Sequence, residues 1–180
     1  MTALFGGAFD PIHNGHIEIA REVRRRFGCG VILIPSGNPP HKPMRTAFAH
    51  RLTMLHLACA GEGFAISEIE STVSRTYTFD TLPHFPPPRL FVIGADAFAE
   101  IETWHRWREV IAMTEFAVVS RPGHDYRVPE GAIVHRLDGL ALDVSSSAIR
   151  AALARGERPA ALAPGVYDYI RQHKLYTNGE

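Results

Sequence analysis

The sequence has 180 residues, 46% of them hydrophobic, with Lys plus Arg and Asp plus Glu balanced at 19 each. That length suits one ordinary domain, able to bury a core without disulfide or metal staples. The zero formal charge argues against the basic field that a nucleic-acid or anionic-membrane partner usually requires, so a small-molecule substrate fits better.

The start, Met-Thr-Ala-Leu-Phe-Gly-Gly, has no basic region with a long apolar run behind it, and no later stretch approaches the ~20 apolar residues that span a bilayer. Neither a signal peptide nor a membrane span is expected. The two cysteines, Cys29 and Cys59, stand in apolar surroundings at neither metal-ligand nor redox spacing. They read as buried reduced thiols and suggest the cytosol.

In chain order, the first short apolar run, Ala3 to Phe5, predicts a buried strand, and helical spacing follows from Ile17 to Phe27. A second strand is predicted at Val31 to Ile34, a helix at Arg51 to Ala60 and a third strand at Phe64 to Ile66. Three prolines at 86 to 88 separate a helix from the fourth strand, Leu90 to Ile93, which a helix at Trp107 to Met113 and a fifth strand at Phe116 to Val119 follow. A weaker sixth run is Ala132 to Val134. This alternation marks βαβ units around a parallel sheet, and their right-handed connections predict an α/β, Rossmann-like doubly wound fold. From Ser145 to Tyr176, two more helical patterns separated by Pro159, Pro164 and Gly165 predict a small helical C-terminal subdomain. Residues 1–180 are expected to form a single domain, with 145–180 as its helical end.

Ligands of open α/β sheets sit beyond the carboxyl ends of the strands, where strand order reverses. The loop there runs Gly6-Gly7-Ala8-Phe9-Asp10-Pro11-Ile12-His13-Asn14-Gly15-His16. Its paired glycines let a phosphate or base approach main-chain N–H groups without interference from a Cβ. Asn14 is the expected N-cap of the next helix. The helix's apolar stripe, Ala20, Val23 and Phe27, projects back onto His16, which should face the crevice. His13 lies three residues earlier, so two imidazoles can converge where a helix N-terminus favours an anion. Incidental histidines are the bland alternative, and a metal pair lacks an obvious third ligand. The dehydrogenase fingerprint fails, because the second strand ends Ile34-Pro35-Ser36-Gly37 without an acidic residue.

This segment resembles the H-x-G-H nucleotidyltransferase superfamily, and its G-G-x-F-D-P-x-H-x-G-H form resembles the bacterial nicotinate-mononucleotide adenylyltransferase family. Further blocks follow in the family's order: Pro35 to Lys42, Thr76 to Thr81, Ile93 to Asp96, Trp104, Ser120 to Gly123, Val144 to Arg150, and Leu175-Tyr176. The resemblance implies a single nucleotidyltransferase domain that transfers AMP from ATP to nicotinate mononucleotide, with Mg²⁺ on the triphosphate. It implies ATP contacts at Gly6, Gly7, Ala8, Phe9 and His16, and at Gly94, Asp96, Ser145, Ser146 and Arg150. Contacts to the mononucleotide are implied at Ser36, His41, Lys42 and Arg121, and at Thr78, Phe79, Trp104 and His105. His13, His16, Lys42 and Arg150 are the implied catalytic groups, and no metal held by the protein is implied. Two departures stand out: Ser147 where the family usually has Thr, and Ser36 where relatives often carry Asn.

The attacking 5′-phosphate is already an anion at neutral pH, so the rate must come from positioning and charge stabilisation. Lys42, with His41 in a proline-stiffened loop, suits the incoming phosphate, although Lys42 reads equally as a solvated loop lysine. Ser145-Ser146-Ser147 carries more capping hydroxyls than one helix uses, and Arg150 in a first turn suits an anion, its bland alternative being a surface ion pair. Asp96 reads equally as a ribose ligand and as an N-cap. The resemblance puts main-chain N–H donors around Thr78-Phe79 and at His105 against the nicotinate carboxylate, with Trp104 stacked on the ring. Otherwise Trp104 is a core aromatic beside Trp107.

Among rivals, pantetheine-phosphate adenylyltransferases usually carry Thr in place of the first histidine. A class I aminoacyl-tRNA synthetase would need a K-M-S-K-S loop and an RNA-binding extension. A nucleotide-sensing regulator on the same fold would bind without turnover, and pyrophosphate release separates it from an enzyme. The sequence leaves the oligomeric state open, a homo-oligomer included.

Overall fold

A computed structural model describes residues 1–39, 44–72, 76–120, 125–140 and 144–177. Six parallel strands, β1 (Thr2–Gly7), β2 (Gly30–Pro35), β3 (Ala65–Ile66), β4 (Arg89–Gly94), β5 (Glu115–Ser120) and β6 (Val134–Asp138), form one sheet. Their order is β3-β2-β1-β4-β5-β6. The chain therefore winds outward from β1 to one edge and then crosses to build the other half from β4. The direction of winding reverses between β1 and β4, and a crevice opens at such a point beyond the strand tips.

The pleat divides the core between the two sheet faces. Ala3, Phe5, Leu90, Val92 and Ala117 face one side, where α1 (Asn14–Phe27) and α2 (Phe48–Cys59) contribute Ala20, Val23, Met54 and Leu55. Leu4, Phe91, Ile93, Phe116 and Val118 face the other, against Leu82, Phe98, Val110 and Ile111. There α3 (Thr78–Thr81), α4 (Ala95–Ala99) and α5 (Trp107–Met113) lie between successive strands, with a short 3₁₀ turn at Leu82–His84. Burying a Val, Leu or Ile completely stabilises the fold by about 1.5–3 kcal/mol. Both faces being covered explains why the central strands read as nearly continuous apolar runs.

α1 ends at Gly28, whose φ of 58° is left-handed and whose N–H donates to the Arg24 carbonyl at 3.0 Å. This is the usual helix stop, and only glycine adopts it without steric cost. The C-terminal helices α6 (Ser146–Ala154) and α7 (Pro164–Gln172) place Ile149, Val166, Tyr167 and Ile170 in the same core as α1 and α2. Pro164 is the first residue of α7 rather than a separator, because the first turn of a helix has no use for its missing N–H.

Most boundaries shift by a residue or two, and two departures have a clear physical reason. β6 occupies Val134–Asp138 instead of Ala132 to Val134, since an edge strand carries polar residues such as His135, Arg136 and Asp138 and lacks a continuous apolar signature. α2 starts at Phe48, three residues before Arg51, from an Ala47 cap that makes no side-chain hydrogen bond and so leaves no sequence signal. Both cysteines are buried, and burial pushes the Cys59 thiol up to about 11, which keeps it protonated. No helix among the described residues is long and apolar enough to cross a membrane.

Candidate active site

Two cavities meet over the reversal point. One, of about 600 Å³, is lined by His13, His16, Gly94, Asp96, Ser145, Ser146, Ser147 and Arg150, with Ser120 and Val144. The other, of about 360 Å³, is lined by Ala8, Ser36, Glu70, Thr76, Tyr77, Thr78, Thr81, Trp104 and His105. Gly6, Gly7, Ile93 and Gly94 belong to both walls. The tips of β1 and β4 are therefore the shared floor on which molecules in the two lobes would touch.

The glycine pair ends β1 rather than opening the loop. A Cβ on Gly6 would lie 3.1 Å from the Phe91 ring, and one on Gly7 would lie 3.0 Å from the Phe9 ring. Aromatic rings thus fill the space that side chains would take. Phe9 turns inward at a φ of 47° and is 1% exposed, so its ring supports the floor from beneath and lines neither lobe. Any contact from this position to a ligand would come from its main chain. Ala8 lines the smaller lobe.

The N-cap of α1 is His13, not Asn14. Asn14 is instead drawn to the C-terminal segment, its N–H donating to the Ala161 carbonyl at 2.8 Å. The His13 main-chain N–H donates to His16 Nδ1 at 3.2 Å, and the two rings stack with centroids 3.7 Å apart. Because Nδ1 of His16 accepts a hydrogen bond, the ring proton of its neutral form sits on Nε2. His13 is buried, and desolvation lowers its pKa to about 4, which leaves it neutral at physiological pH. Its side chain faces the His16 main-chain N–H in the reciprocal arrangement of a capping box, but that N–H also donates to the His13 carbonyl at 2.9 Å, and Nδ1 makes no regular hydrogen bond of its own.

Two helix N-termini open toward this lobe, α1 at His13 and α6 at Ser145. Ser145 caps α6 by accepting from the Ala148 N–H at 3.2 Å, while the Ser146 hydroxyl donates to the Pro11 carbonyl at 3.0 Å. Arg150 is the fifth residue of α6, just past the first turn, and it donates to the Asp10 carbonyl at 2.6 Å and to the Ser147 hydroxyl at 3.5 Å. Among the described residues these hydrogen-bond partners are neutral oxygens. Gly94 holds the N-cap of α4, so Asp96 is not the cap; it is an exposed residue of the first turn on the wall of the lobe.

In the smaller lobe, Trp104 is half-buried and meets Phe91 edge-on at 6.3 Å, leaving it both a core contact and a share of the wall. The His105 ring lies 4.6 Å from Tyr77. Phe79 does not line the lobe with its ring, which the Arg106 guanidinium covers at 3.8 Å. Main-chain bonding in α3 begins with the N–H groups of Asp80 and Thr81, both donating to Tyr77. Those of Thr78 and Phe79 precede it and have no acceptor within the helix. His41, Lys42 and Arg121 lie outside the described residues.

Several residues that sequence reasoning passed over support these walls. Arg51, 1% exposed, donates to the carbonyls of Ala8 at 2.8 Å, Thr46 at 3.1 Å and Gly37 at 3.5 Å, joining the loops after β1 and β2. Burial lowers its pKa, and the nearby charge of Asp10 opposes that shift. Asp10 itself accepts from the Tyr176 hydroxyl at 2.6 Å and from the Arg45 N–H at 3.3 Å. The carboxylate of Glu70 accepts from the Thr81 hydroxyl and the Gly37 N–H. A lone charge in a helix or loop usually reads as solvated, so spacing alone does not mark these positions.

The cytidylyltransferase-like family model matches residues 4–152. A Solibacter usitatus protein named "Probable nicotinate-nucleotide adenylyltransferase" is 46% identical over 184 residues, spanning 97% of this chain and 98% of that one. A protein of the same name from Laribacter hongkongensis is 38% identical over 204 residues, spanning 96% and 93%. The solved structure "Plasmodium falciparum nicotinic acid mononucleotide adenylyltransferase complexed with NaAD" shares the fold, with a TM-score of 0.81 at 20% identity over 97% of this chain and 96% of that chain. With its sheet order, its two-lobed crevice and relatives of this identity and coverage, the chain belongs to the nicotinate-nucleotide adenylyltransferase family, within the cytidylyltransferase-like group.

Proposed function

We propose that this protein transfers AMP from ATP, bound as its Mg²⁺ complex, to nicotinate mononucleotide, forming nicotinate adenine dinucleotide and pyrophosphate. ATP occupies the larger lobe, with its triphosphate toward His13, His16, Arg150 and the α6 N-terminus. The mononucleotide occupies the smaller lobe, its ring against Trp104, its carboxylate toward the N–H groups of Thr78, Phe79 and His105, and its phosphate toward Ser36. His41 and Lys42 are assigned to that phosphate, and Arg121 to the mononucleotide, from the sequence and the family pattern.

The observation that carries this reading is the shared floor of Gly6, Gly7, Ile93 and Gly94. There a 5′-phosphate oxygen from one lobe reaches the α-phosphorus in the other. The new P–O bond forms as the bond from the α-phosphorus to the bridging oxygen breaks, and pyrophosphate leaves with that electron pair. No proton needs to be removed from the nucleophile. The protein instead supplies orientation and donors for charge that grows on the phosphoryl oxygens. The Nε2–H of His16 is one such donor. An entering phosphate also draws a proton toward His13, because a nearby anion favours the charged imidazole that burial otherwise disfavours.

The test is to offer the purified protein MgATP with nicotinate mononucleotide, nicotinamide mononucleotide or phosphopantetheine in turn while pyrophosphate is measured. Release with the nicotinate substrate well above the other two is expected. Preference for phosphopantetheine, or ATP binding without turnover, overturns the reading.

A further inference from the structure

Glu70 presents a puzzle, because a carboxylate on the wall of a lobe meant for an anionic mononucleotide should weaken binding. Its two oxygens are engaged, however. Oε1 accepts from the Thr81 hydroxyl at 2.7 Å and Oε2 from the Gly37 N–H at 3.2 Å. Gly37 belongs to the β2 loop that carries Ser36, and Thr81 closes the short helix α3 that begins at Thr78. Ser36 and Thr78 stand on the wall of the same lobe.

The contact is close in the main chain too. A Cβ on Gly37 would fall 2.0 Å from the Glu70 carbonyl oxygen, so only glycine fits there. On its other side, the Gly37 carbonyl accepts from Arg51 at 3.5 Å, and Arg51 also holds the Ala8 carbonyl. Gly37 is held on both sides, by Glu70 through its N–H and by Arg51 through its carbonyl oxygen. A further link, from the Thr76 N–H to the Asn38 carbonyl at 3.3 Å, joins the same two arms.

We propose that Glu70 is a positioning residue for the mononucleotide, its carboxylate bridging Gly37 and Thr81 so that the β2 loop and α3 stand at the separation the substrate spans. The proposal rests on the assignment of the smaller lobe to nicotinate mononucleotide. Glu70 acts as a two-fold acceptor and not as a base, since the attacking phosphate is already ionised. Its contribution is geometric: a loosened wall costs affinity for the molecule held between the arms and leaves the chemistry of the other lobe intact.

Steady-state pyrophosphate release is measured with each substrate varied against saturating levels of the other, for Glu70→Ala, Glu70→Gln, Thr81→Val and the Glu70→Ala/Thr81→Val pair. Glu70→Ala should raise the KM for nicotinate mononucleotide by about tenfold or more, with kcat and the KM for ATP within about threefold. Glu70→Gln should return that KM to within about threefold of the parent, because its amide oxygen accepts from Gly37 while its NH₂ donates to the Thr81 oxygen. Thr81 can then turn its own proton to the Tyr77 carbonyl, 3.2 Å away. Thr81→Val should move the same KM in the same direction, and the pair should be no worse than Glu70→Ala, as expected of partners in one bridge.

The proposal is overturned if Glu70→Gln is as damaging as Glu70→Ala, if ATP affinity falls equally, if the double variant shows the sum of the two losses, or if an active Glu70→Ala keeps its KM. Should Glu70→Ala not fold, the Gln and Val variants still decide, since an unchanged KM in Thr81→Val also overturns it. Wild-type activity is measured first: a wild type inactive with nicotinate mononucleotide counts against the substrate assignment, whereas an active wild type with unmoved variants counts against Glu70 alone.

Discussion

His13 and His16 are joined twice, by the 3.2 Å bond from the His13 main-chain N–H to His16 Nδ1 and by rings stacked 3.7 Å apart. The bond orients one ring, and the stacking discourages both rings from being charged together. At neutral pH His13 is therefore a neutral ring and not a standing positive charge, and binding of an anion is what favours its protonation.

Stability should depend on pH through His13. Its folded pKa, about 4, lies below the ordinary 6.5, so between those values the unfolded chain binds more protons and stability falls as pH falls. The loss from pH 7.5 to pH 5 should be roughly 2 kcal/mol from this group. Urea unfolding of the parent and of His13→Asn at the two pH values checks it, with the variant lacking that part of the slope.

Replacing His16 by Ala removes the Nε2–H donor and should lower kcat by about 10²-fold or more, with a smaller effect on mononucleotide binding. Near-normal turnover in a folded His16→Ala protein would sink the assignment of this ring to the reacting phosphate.

Arg150→Ala should weaken ATP binding by about tenfold or more and also slow turnover, since charged hydrogen bonds contribute about 1.5–3 kcal/mol. Arg150→Lys should restore only part of it, because one ammonium cannot hold the Asp10 carbonyl and a phosphate with the planar fork of a guanidinium. Calorimetric titration with ATP decides, and unchanged affinity in Arg150→Ala would make the residue only a tether for the first loop.

Trp104→Ala should cost about 1–3 kcal/mol of nicotinate mononucleotide binding while ATP affinity is largely kept, as loss of a base-stacking ring does elsewhere. The edge contact to Phe91 adds a modest fall in melting temperature. His105→Ala should leave the preference for acid over amide mostly intact, since the proposed donor there is main-chain. Equal loss of both ligands would reassign Trp104 to the core.

The central sheet was legible because β1, β2, β4 and β5 are covered on both faces and write themselves as apolar runs, with glycines and histidines marking the first loop. β6 was less so, since an edge strand does not need that pattern. The Asn14 cap was misread for a physical reason: general preference favours Asn, but the Ala161 carbonyl already accepts the Asn14 N–H, a contact across the chain that no local rule contains. Arg51 and Glu70 carry no mark in the sequence for the same reason, and Tyr176 is marked only as part of the closing block, with no role attached. Each acquires its role from partners that are remote in sequence or lie on irregular loops, whereas His13 and His16 announce themselves within one turn of helix.

The hydrogen bond from Tyr176 to Asp10 spans 166 residues. At synthesis rates of about 5–20 residues per second, the first loop waits roughly 8–33 s between emerging from the decoding centre and the making of the hydroxyl that anchors its aspartate. The earliest part of the crevice to be translated is thus completed late: Arg45 and Arg51 can hold the turn ahead of the paired histidines early in synthesis, and the Tyr176 hydroxyl is added only long afterwards.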